Sequence, residues 1–193
     1  MTGLEALGLA FALLFGGAVL TALLHKFRKL CGYVAFVLMA ASAGLLFYVV
    51  ATVMLGGPVE SARPLIAIPL FGAALLVRVD ALGAFFLAII AFLGLLATLY
   101  SVDYISHRHY ERESLARYYP FLFLFIAGMA GVVAVWDAFF FLAAWEFMTL
   151  SSYVLVVFEK ENPVNLRAGF KYFVMTHIGT CLLYTSDAAD DGE

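Results

Sequence analysis

The chain has little charge, few prolines and almost no cysteine. Only 13% of its 193 residues are Asp, Glu, Lys or Arg, whereas 65% are hydrophobic, and the mean hydropathy is +1.00. A soluble domain carries about 25% charged residues, so this composition excludes one. The two cysteines form no CxxC pair and no His/Cys cluster, so the sequence supplies no ligand set for zinc, haem or an iron–sulfur centre. We therefore expect an integral-membrane protein that binds no metal and no redox cofactor.

Long apolar runs take the place of a charged surface. A membrane span needs about 20 apolar residues, and the predicted complete spans are residues 3–24, 30–55, 79–100, 118–136 and 138–158. A sixth run, 168–180, extends only about 20 Å at 1.5 Å per residue. The first run is too long for a cleavable signal peptide, and no basic residue precedes it. These runs predict an all-α integral membrane fold of antiparallel helices, five complete and a sixth truncated.

The cations lie mostly at one set of loops. Arg63 and Arg78 lie between the second and third spans, and the other nine Lys and Arg residues lie near the loops after the first, third and fifth spans. The nine are Lys26, Arg28, Lys29, Arg108, Arg112, Arg117, Lys160, Arg167 and Lys171. Cytoplasmic loops carry the excess of Lys and Arg. We therefore expect these loops in the cytoplasm and the N-terminus outside.

The segment before the third span is apolar but does not have the pattern of a helix. Residues 65–79 are too few to span, and Pro69 and Gly72 interrupt them. Because Leu, Val and Ile flank this break on both sides, we expect an extended, hairpin-like segment on the outer face. Arg78 and Asp80, which follow it, are interpreted as an anchor at the membrane interface.

The fourth and fifth spans are separated only by a turn at Trp136 and Asp137, which predicts an antiparallel pair. Gly128, Ala130 and Gly131 give the fourth span a small-residue face. Small residues let membrane helices approach closely. We therefore expect the backbones of these two helices to come into contact.

One ionisable residue lies near the middle of the fifth span. Glu146 is the only charged residue within 138–158, and a charge at bilayer depth costs at least about 2.5 kcal/mol. Burial favours the neutral acid and a nearby cation favours the carboxylate, so a site balanced between them can change its protonation. We expect Glu146 to take part in proton transfer. The alternative is an inert protonated acid that hydrogen-bonds a neighbouring helix.

Several polar residues are candidates to work with Glu146. Thr149 and Tyr153 follow it at i+3 and i+7, so the three share one helix face. His177, in the sixth run between Thr176 and Thr180, is a candidate proton relay, although a hydrogen-bonded packing histidine would fit as well. Lys171 either reaches the proton pathway or extends its side chain to the interface.

The last thirteen residues, 181–193, do not continue the apolar pattern. Their acids are Asp187, Asp190, Asp191 and Glu193. Residues 181–190 resemble the translation of a transposase-type sequencing adapter. We therefore expect 181–193 to be a non-native, adapter-derived tail. Residues 1–180 are then the N-terminal part of a longer transmembrane domain.

Residues 145–153, Trp-Glu-Phe-Met-Thr-Leu-Ser-Ser-Tyr, resemble the fifth-helix motif of antiporter-like membrane subunits. These subunits occur in respiratory complex I, in Mrp-type cation/proton antiporters and in membrane-bound nickel–iron hydrogenases. The resemblance continues over residues 159–163, 167–170 and 176–180, with third-helix matches at 79–82 and 99–101. The stretch after residue 158 looks most like the hydrogenase-4 component B and formate hydrogenlyase subunit 3 branch. Altogether the similarity covers residues 3–180.

The resemblance implies a fragment of a fourteen-helix fold that contains two inverted five-helix repeats. This chain would hold the three N-terminal helices and about the first half of the first repeat. In such subunits the glutamate that matches Glu146 pairs with a lysine on the seventh helix. Lys171 is not its counterpart, since it lies on the sixth helix.

The function implied by the resemblance is proton translocation within a hydrogenase, formate hydrogenlyase-type or complex I-related oxidoreductase. The subunit would be multi-pass in a bacterial or archaeal cytoplasmic membrane. Partner membrane and hydrophilic subunits would carry the electrons, with no role for nucleic acid. One alternative is a Mrp-type cation/proton antiporter subunit, which needs no redox partner. Another is a structural membrane anchor with an inert carboxyl.

Overall fold

The computed structural model describes residues 1–68, 73–105, 115–158 and 163–190, without the side chains at 183, 184 and 186–190. The helices are α1 (Gly3–Leu23), α2 (Arg28–Gly56), α3 (Ala81–Tyr104), α4 (Leu115–Ala134), α5 (Ala138–Val156) and α6 (Pro163–Asp190). The first five are long and apolar enough to cross a membrane. This confirms the all-α, multi-span membrane class and the five complete spans.

The helices run back and forth, so alternate connections meet at the same end of the bundle. At one end the Arg28 guanidinium donates to the Ile105 carbonyl (3.1 Å), and the rings of Tyr118 and Phe158 touch, with centroids 5.4 Å apart. This is the end that carries most of the cations, and we call it the cationic end. Of the nine cations that were expected to share one end, Arg108, Arg112 and Lys160 lie outside the described residues.

The core lies among α1–α4 and is built on small residues. Ala10, Ala35 and Ala84 are fully buried. A Cβ added at Gly17 of α1 would lie 2.7 Å from the ring of Phe123, which is itself fully buried in α4. Glycine at this position therefore lets an aromatic ring fill the space between the two helices.

Short strands cap the opposite end of the bundle. They are β1 (Val59–Glu60), β2 (Ala67–Ile68), β3 (Ala73–Ala74) and β4 (Arg78–Val79), with β1 antiparallel to β4 and β2 antiparallel to β3. This confirms the predicted extended segment, although Pro69 and Gly72 lie outside the described residues. We call this the strand-capped end.

The expected Arg78–Asp80 anchor is organised differently. Arg78 pairs with Glu60 across β1 and β4 (Nε–Oε1 3.0 Å) and lies over the Trp136 ring, 4.5 Å from its centroid. Asp80 is instead the N-cap of α3, where its carboxylate accepts the Gly83 amide (2.7 Å). Strand pairing places Glu60 directly opposite Arg78. The first amides of a helix have no partner within the helix, and Asp80 accepts a hydrogen bond from one of them.

The close contact between α4 and α5 is confirmed for two of the three predicted residues. A Cβ at Gly128 would lie 2.8 Å from the Met148 Cα, and one at Gly131 would lie 3.2 Å from the Ala144 Cβ. Ala130 does not join this face. It packs in the α1–α4 core, because a step of two residues rotates a side chain by about 200° around the helix.

The last helix is longer than the predicted run 168–180. Helix α6 covers Pro163–Asp190 and packs on α5, where Gly169 lies against Val157 and Tyr153. The helix therefore crosses residue 180 without a break. That the residues after 180 are adapter-derived stays a prediction. The acids Asp191 and Glu193 lie outside the described residues.

Candidate functional site

Glu146 lies near the middle of α5, at the ninth of nineteen positions. At 1.5 Å per residue it is about 12 Å from the start of the helix and about 15 Å from its end. The helix begins at Ala138 because the Asp137 carboxylate accepts the Phe140 amide (3.1 Å) and also the Ala74 amide of β3 (3.3 Å). The strand-capped end therefore fixes the height of Glu146 within the bundle.

The neighbour of this carboxylate is His177 of α6. His177 Nε2 lies 3.1 Å from Glu146 Oε2, and the two side chains are 36% and 30% exposed. Gly169 allows the close approach of α6 to α5 that brings the two residues together. Both residues are sequence-predicted candidates, and the structure joins them into an acid–base pair.

The position of the ring proton follows from the second nitrogen. His177 Nδ1 lies 2.9 Å from the Phe173 carbonyl oxygen, one turn earlier in α6. A carbonyl oxygen can only accept, so Nδ1 carries a hydrogen and donates it. In the neutral imidazole Nε2 is then the acceptor that faces the carboxyl group. A hydrogen bond between Nε2 and Oε2 therefore requires one further proton, held by either Glu146 or His177.

Aromatic rings hold the imidazole in place. The Phe173 ring lies 4.0 Å from the His177 ring, centroid to centroid, and Tyr153 of α5 lies 5.4 Å from Phe173. Sequence reasoning missed the role of Phe173. Its i, i+4 spacing from His177 was the available signal, since residues four apart share a helix face.

The other two predicted site residues lie apart from the carboxyl group. Thr149 is buried, and its hydroxyl donates to the Glu146 backbone carbonyl (3.0 Å), not to the carboxylate. Lys171 is exposed on α6 and forms no ion pair with any other described residue. A threonine in a helix commonly bonds the carbonyl of the preceding turn, which explains the position of Thr149. The described site is therefore the Glu146–His177 pair, flanked by Phe173 and Tyr153.

The described residues thus form an all-helical membrane bundle that carries one acid–base pair between α5 and α6. Two family profiles match this chain. One, described as NADH:quinone oxidoreductase/Mrp antiporter, TM, matches residues 136–187. The other, described as NADH-ubiquinone oxidoreductase (complex I), chain 5 N-terminus, matches residues 66–119.

Curated relatives come from both branches of this group. The chain is 35% identical over 109 residues to hydrogenase-4 component B of Escherichia coli K12, covering 56% of this chain and 16% of that protein. It is 26% identical over 167 residues to the putative antiporter subunit mnhA2 of Staphylococcus haemolyticus, covering 86% of this chain and 20% of that protein. The chain thus spans a fifth or less of the curated relatives it matches.

Solved structures agree with these matches. A chain of the Mrp complex from Dietzia sp. DQ12-45-1b superposes with a TM-score of 0.74 at 27% identity, covering 94% of this chain and 19% of that chain. A chain of the archaeal membrane-bound sulfane sulfur reductase, a respiratory membrane complex, shares the fold with a TM-score of 0.73 at 22% identity, covering 95% and 28%. This chain belongs to the antiporter-like membrane subunit family of complex I and Mrp-type assemblies.

Proposed function

We propose that this chain is part of a proton-translocating subunit and that the Glu146–His177 pair is a station on its proton path. The observation that carries the proposal is the 3.1 Å contact between Oε2 and Nε2 within the span. An ionisable pair at this depth is costly and commonly marks an ion or proton pathway. The proposal makes the pair functional rather than structural.

The geometry defines how the pair handles a proton. While Nδ1 is bound to the Phe173 carbonyl, the proton between Glu146 and His177 can lie on either partner, as neutral acid with imidazole or as carboxylate with imidazolium. Loss of that proton would leave two lone pairs facing each other. A cation that approaches Glu146 would compensate for this loss and so release the proton. The family resemblance supplies such a cation as a lysine on the seventh helix.

We further propose that the complete protein couples electron transfer in partner subunits to this proton movement, as in a hydrogenase or complex I-like assembly. The 35% identity to hydrogenase-4 component B supports this assignment. The subunit itself would bind no redox group. It would lie in a bacterial or archaeal cytoplasmic membrane, with the cationic end inside and the N-terminus outside.

The second candidate is a subunit of a Mrp-type cation/proton antiporter. The mnhA2 relative matches 86% of this chain, against 56% for hydrogenase-4 component B, which favours this alternative. The two are distinguished by what drives transport. Proton movement that requires an electron donor supports the redox assembly, whereas movement driven by a sodium gradient alone supports the antiporter.

The test is Glu146→Gln in the intact gene, assayed by proton uptake into inverted membrane vesicles. We expect proton uptake to be lost, because an amide cannot exchange the proton. The matched control is Glu60→Gln, which removes an exposed carboxylate at the strand-capped end and should leave uptake unchanged. Normal uptake in Glu146→Gln would refute the proposed role.

A further inference from the structure

A cavity of about 330 Å³ opens between the start of α4 and the end of α5. Its lining residues are Arg117, Phe121, Tyr153, Val154 and Val157. The lining thus combines one cation with one tyrosine and three apolar side chains, all of them partly or fully buried.

The lining residues are ordered by depth. Arg117 is the third residue of α4, at the cationic end, and Phe121 is one turn further into the bundle. The contacts between Gly128 and Met148, and between Tyr118 and Phe158, set the register of the two helices. In this register Arg117 is level with the residues just after α5, and Phe121 lies between the levels of Val154 and Val157. Charge therefore lies at the membrane boundary and apolar surface lies inside it.

The cavity shares Tyr153 with the Glu146 site but reaches neither Glu146 nor His177. Along α5, Val157 is eleven residues and Tyr153 seven residues from Glu146, or about 16 Å and 10 Å at 1.5 Å per residue. Between Glu146 and Tyr153, the hydroxyls of Thr149 and Ser151 donate to backbone carbonyls of α5. An apolar lining of this kind suits a hydrocarbon chain better than a column of water.

The charge around the cavity favours an anionic occupant. The described cations at this end are Lys26, Arg28, Lys29, Arg117, Arg167 and Lys171. The one described acid at this end is Asp103, in the last turn of α3. Over the full sequence, nine cations in these loops stand against five acids, which are Asp103, Glu111, Glu113, Glu159 and Glu161. Basic pockets between membrane helices on the cytoplasmic side suit anionic lipid headgroups.

We propose that this cavity binds one anionic phospholipid. The Arg117 guanidinium binds the headgroup phosphate, a planar donor well matched to phosphate oxygens. An acyl chain lies on Phe121, Val154 and Val157, and the Tyr153 ring closes the inner side. The proposal does not depend on the proposed function, since Tyr153 is shared but the test involves neither Glu146 nor His177.

The experiment is native mass spectrometry of the full chain in mild detergent, with equal amounts of phosphatidylglycerol and phosphatidylcholine. We expect one phosphatidylglycerol to be retained in preference to phosphatidylcholine. Arg117→Gln should lower this retention about tenfold, the effect of losing one charge-assisted hydrogen bond. Arg63→Gln, at the strand-capped end, is the matched control and should retain the lipid.

Two further arms keep the result decisive. Excess inorganic phosphate should not displace the lipid, because the acyl chain contributes to binding; displacement by phosphate would overturn the proposal. Equal retention of the two lipids by the unsubstituted chain would overturn it even if Arg117→Gln fails to fold. Arg117→Lys keeps the charge and should retain more phosphatidylglycerol than Arg117→Gln.

Discussion

The α1–α4 bundle and the α5–α6 pair are built differently. Half of the residues in the apolar stretch of α4 are buried, against 11% of those in α5. The buried hydroxyls of the bundle, such as Ser42 and Thr98, donate to backbone carbonyls, and its fully buried side chains include no charged residue among those described. The α5–α6 pair instead holds Glu146 against His177. The α1–α4 bundle is therefore the more densely packed part, and the proposed proton site lies on the helices that are packed least.

The largest expected effect tests the α1–α4 bundle. Phe123→Ala removes a fully buried ring from the contact with Gly17, which should lower the free energy of unfolding by about 3–5 kcal/mol. Phe92→Ala in α3 is the control, because its ring is 53% exposed on the outer surface. Thermal unfolding in detergent measures both variants. Equal losses would contradict a core that contains Phe123 and leaves Phe92 on the surface.

The second-largest loss of stability is expected at the contact between α4 and α5. Gly128→Ala places a methyl group against the Met148 backbone, which cannot move aside as a flexible side chain could, and we expect a loss of about 1–3 kcal/mol. Gly16→Ala is the matched control, since nothing lies within 4 Å of its added Cβ. That variant should be neutral or more stable by up to about 1 kcal/mol. A neutral Gly128→Ala would show that α5 is not seated on α4 as described.

The strand-capped end should contribute less to the free energy of unfolding. Asp137→Ala removes the N-cap of α5 and the bond to the Ala74 amide, which should cost about 1 kcal/mol in thermal unfolding. Asp137→Asn keeps an acceptor oxygen and should cost less. If the two variants lose the same stability, the aspartate acts through its charge and not as a hydrogen-bond acceptor.

The smallest expected change in stability is at the proposed proton site. In Glu146→Gln the new amide can still donate to His177 Nε2, so the melting temperature should fall by no more than about 4 °C, or about 1 kcal/mol. Proton uptake should nevertheless be lost. A loss of stability as large as that of Phe123→Ala would place Glu146 with the α1–α4 bundle and remove the contrast between the two regions.

Much of this arrangement could be predicted from local pattern. The predicted complete spans agree with the helices to within four residues at either end, because about 20 apolar residues are themselves the signal for a span. Pro69 and Gly72 interrupt the apolar residues 65–79, which predicted an extended segment there. Short strands are present in that segment. Ala130 was assigned to the wrong face because a list of small residues ignores the rotation between successive positions.

The contacts between distant residues could not be predicted in this way. Arg78 has Asp80 two residues away, yet it pairs with Glu60, since strand register and not proximity in sequence sets its neighbour. Thr149 shares a face with Glu146, but its hydroxyl is occupied by the backbone. The predicted roles of Glu146, His177, Lys171 and Thr149 in proton transfer stay predictions.

The sequence by itself determined that this chain is a multi-span membrane protein with one carboxyl near the middle of its fifth span, because hydropathy and charge are local properties. Only the tertiary structure decided that this carboxyl faces His177, thirty-one residues away. That contact depends on how closely Gly169 lets α6 approach α5 and on the register of the two helices. Both are fixed by side-chain packing, which no local pattern specifies.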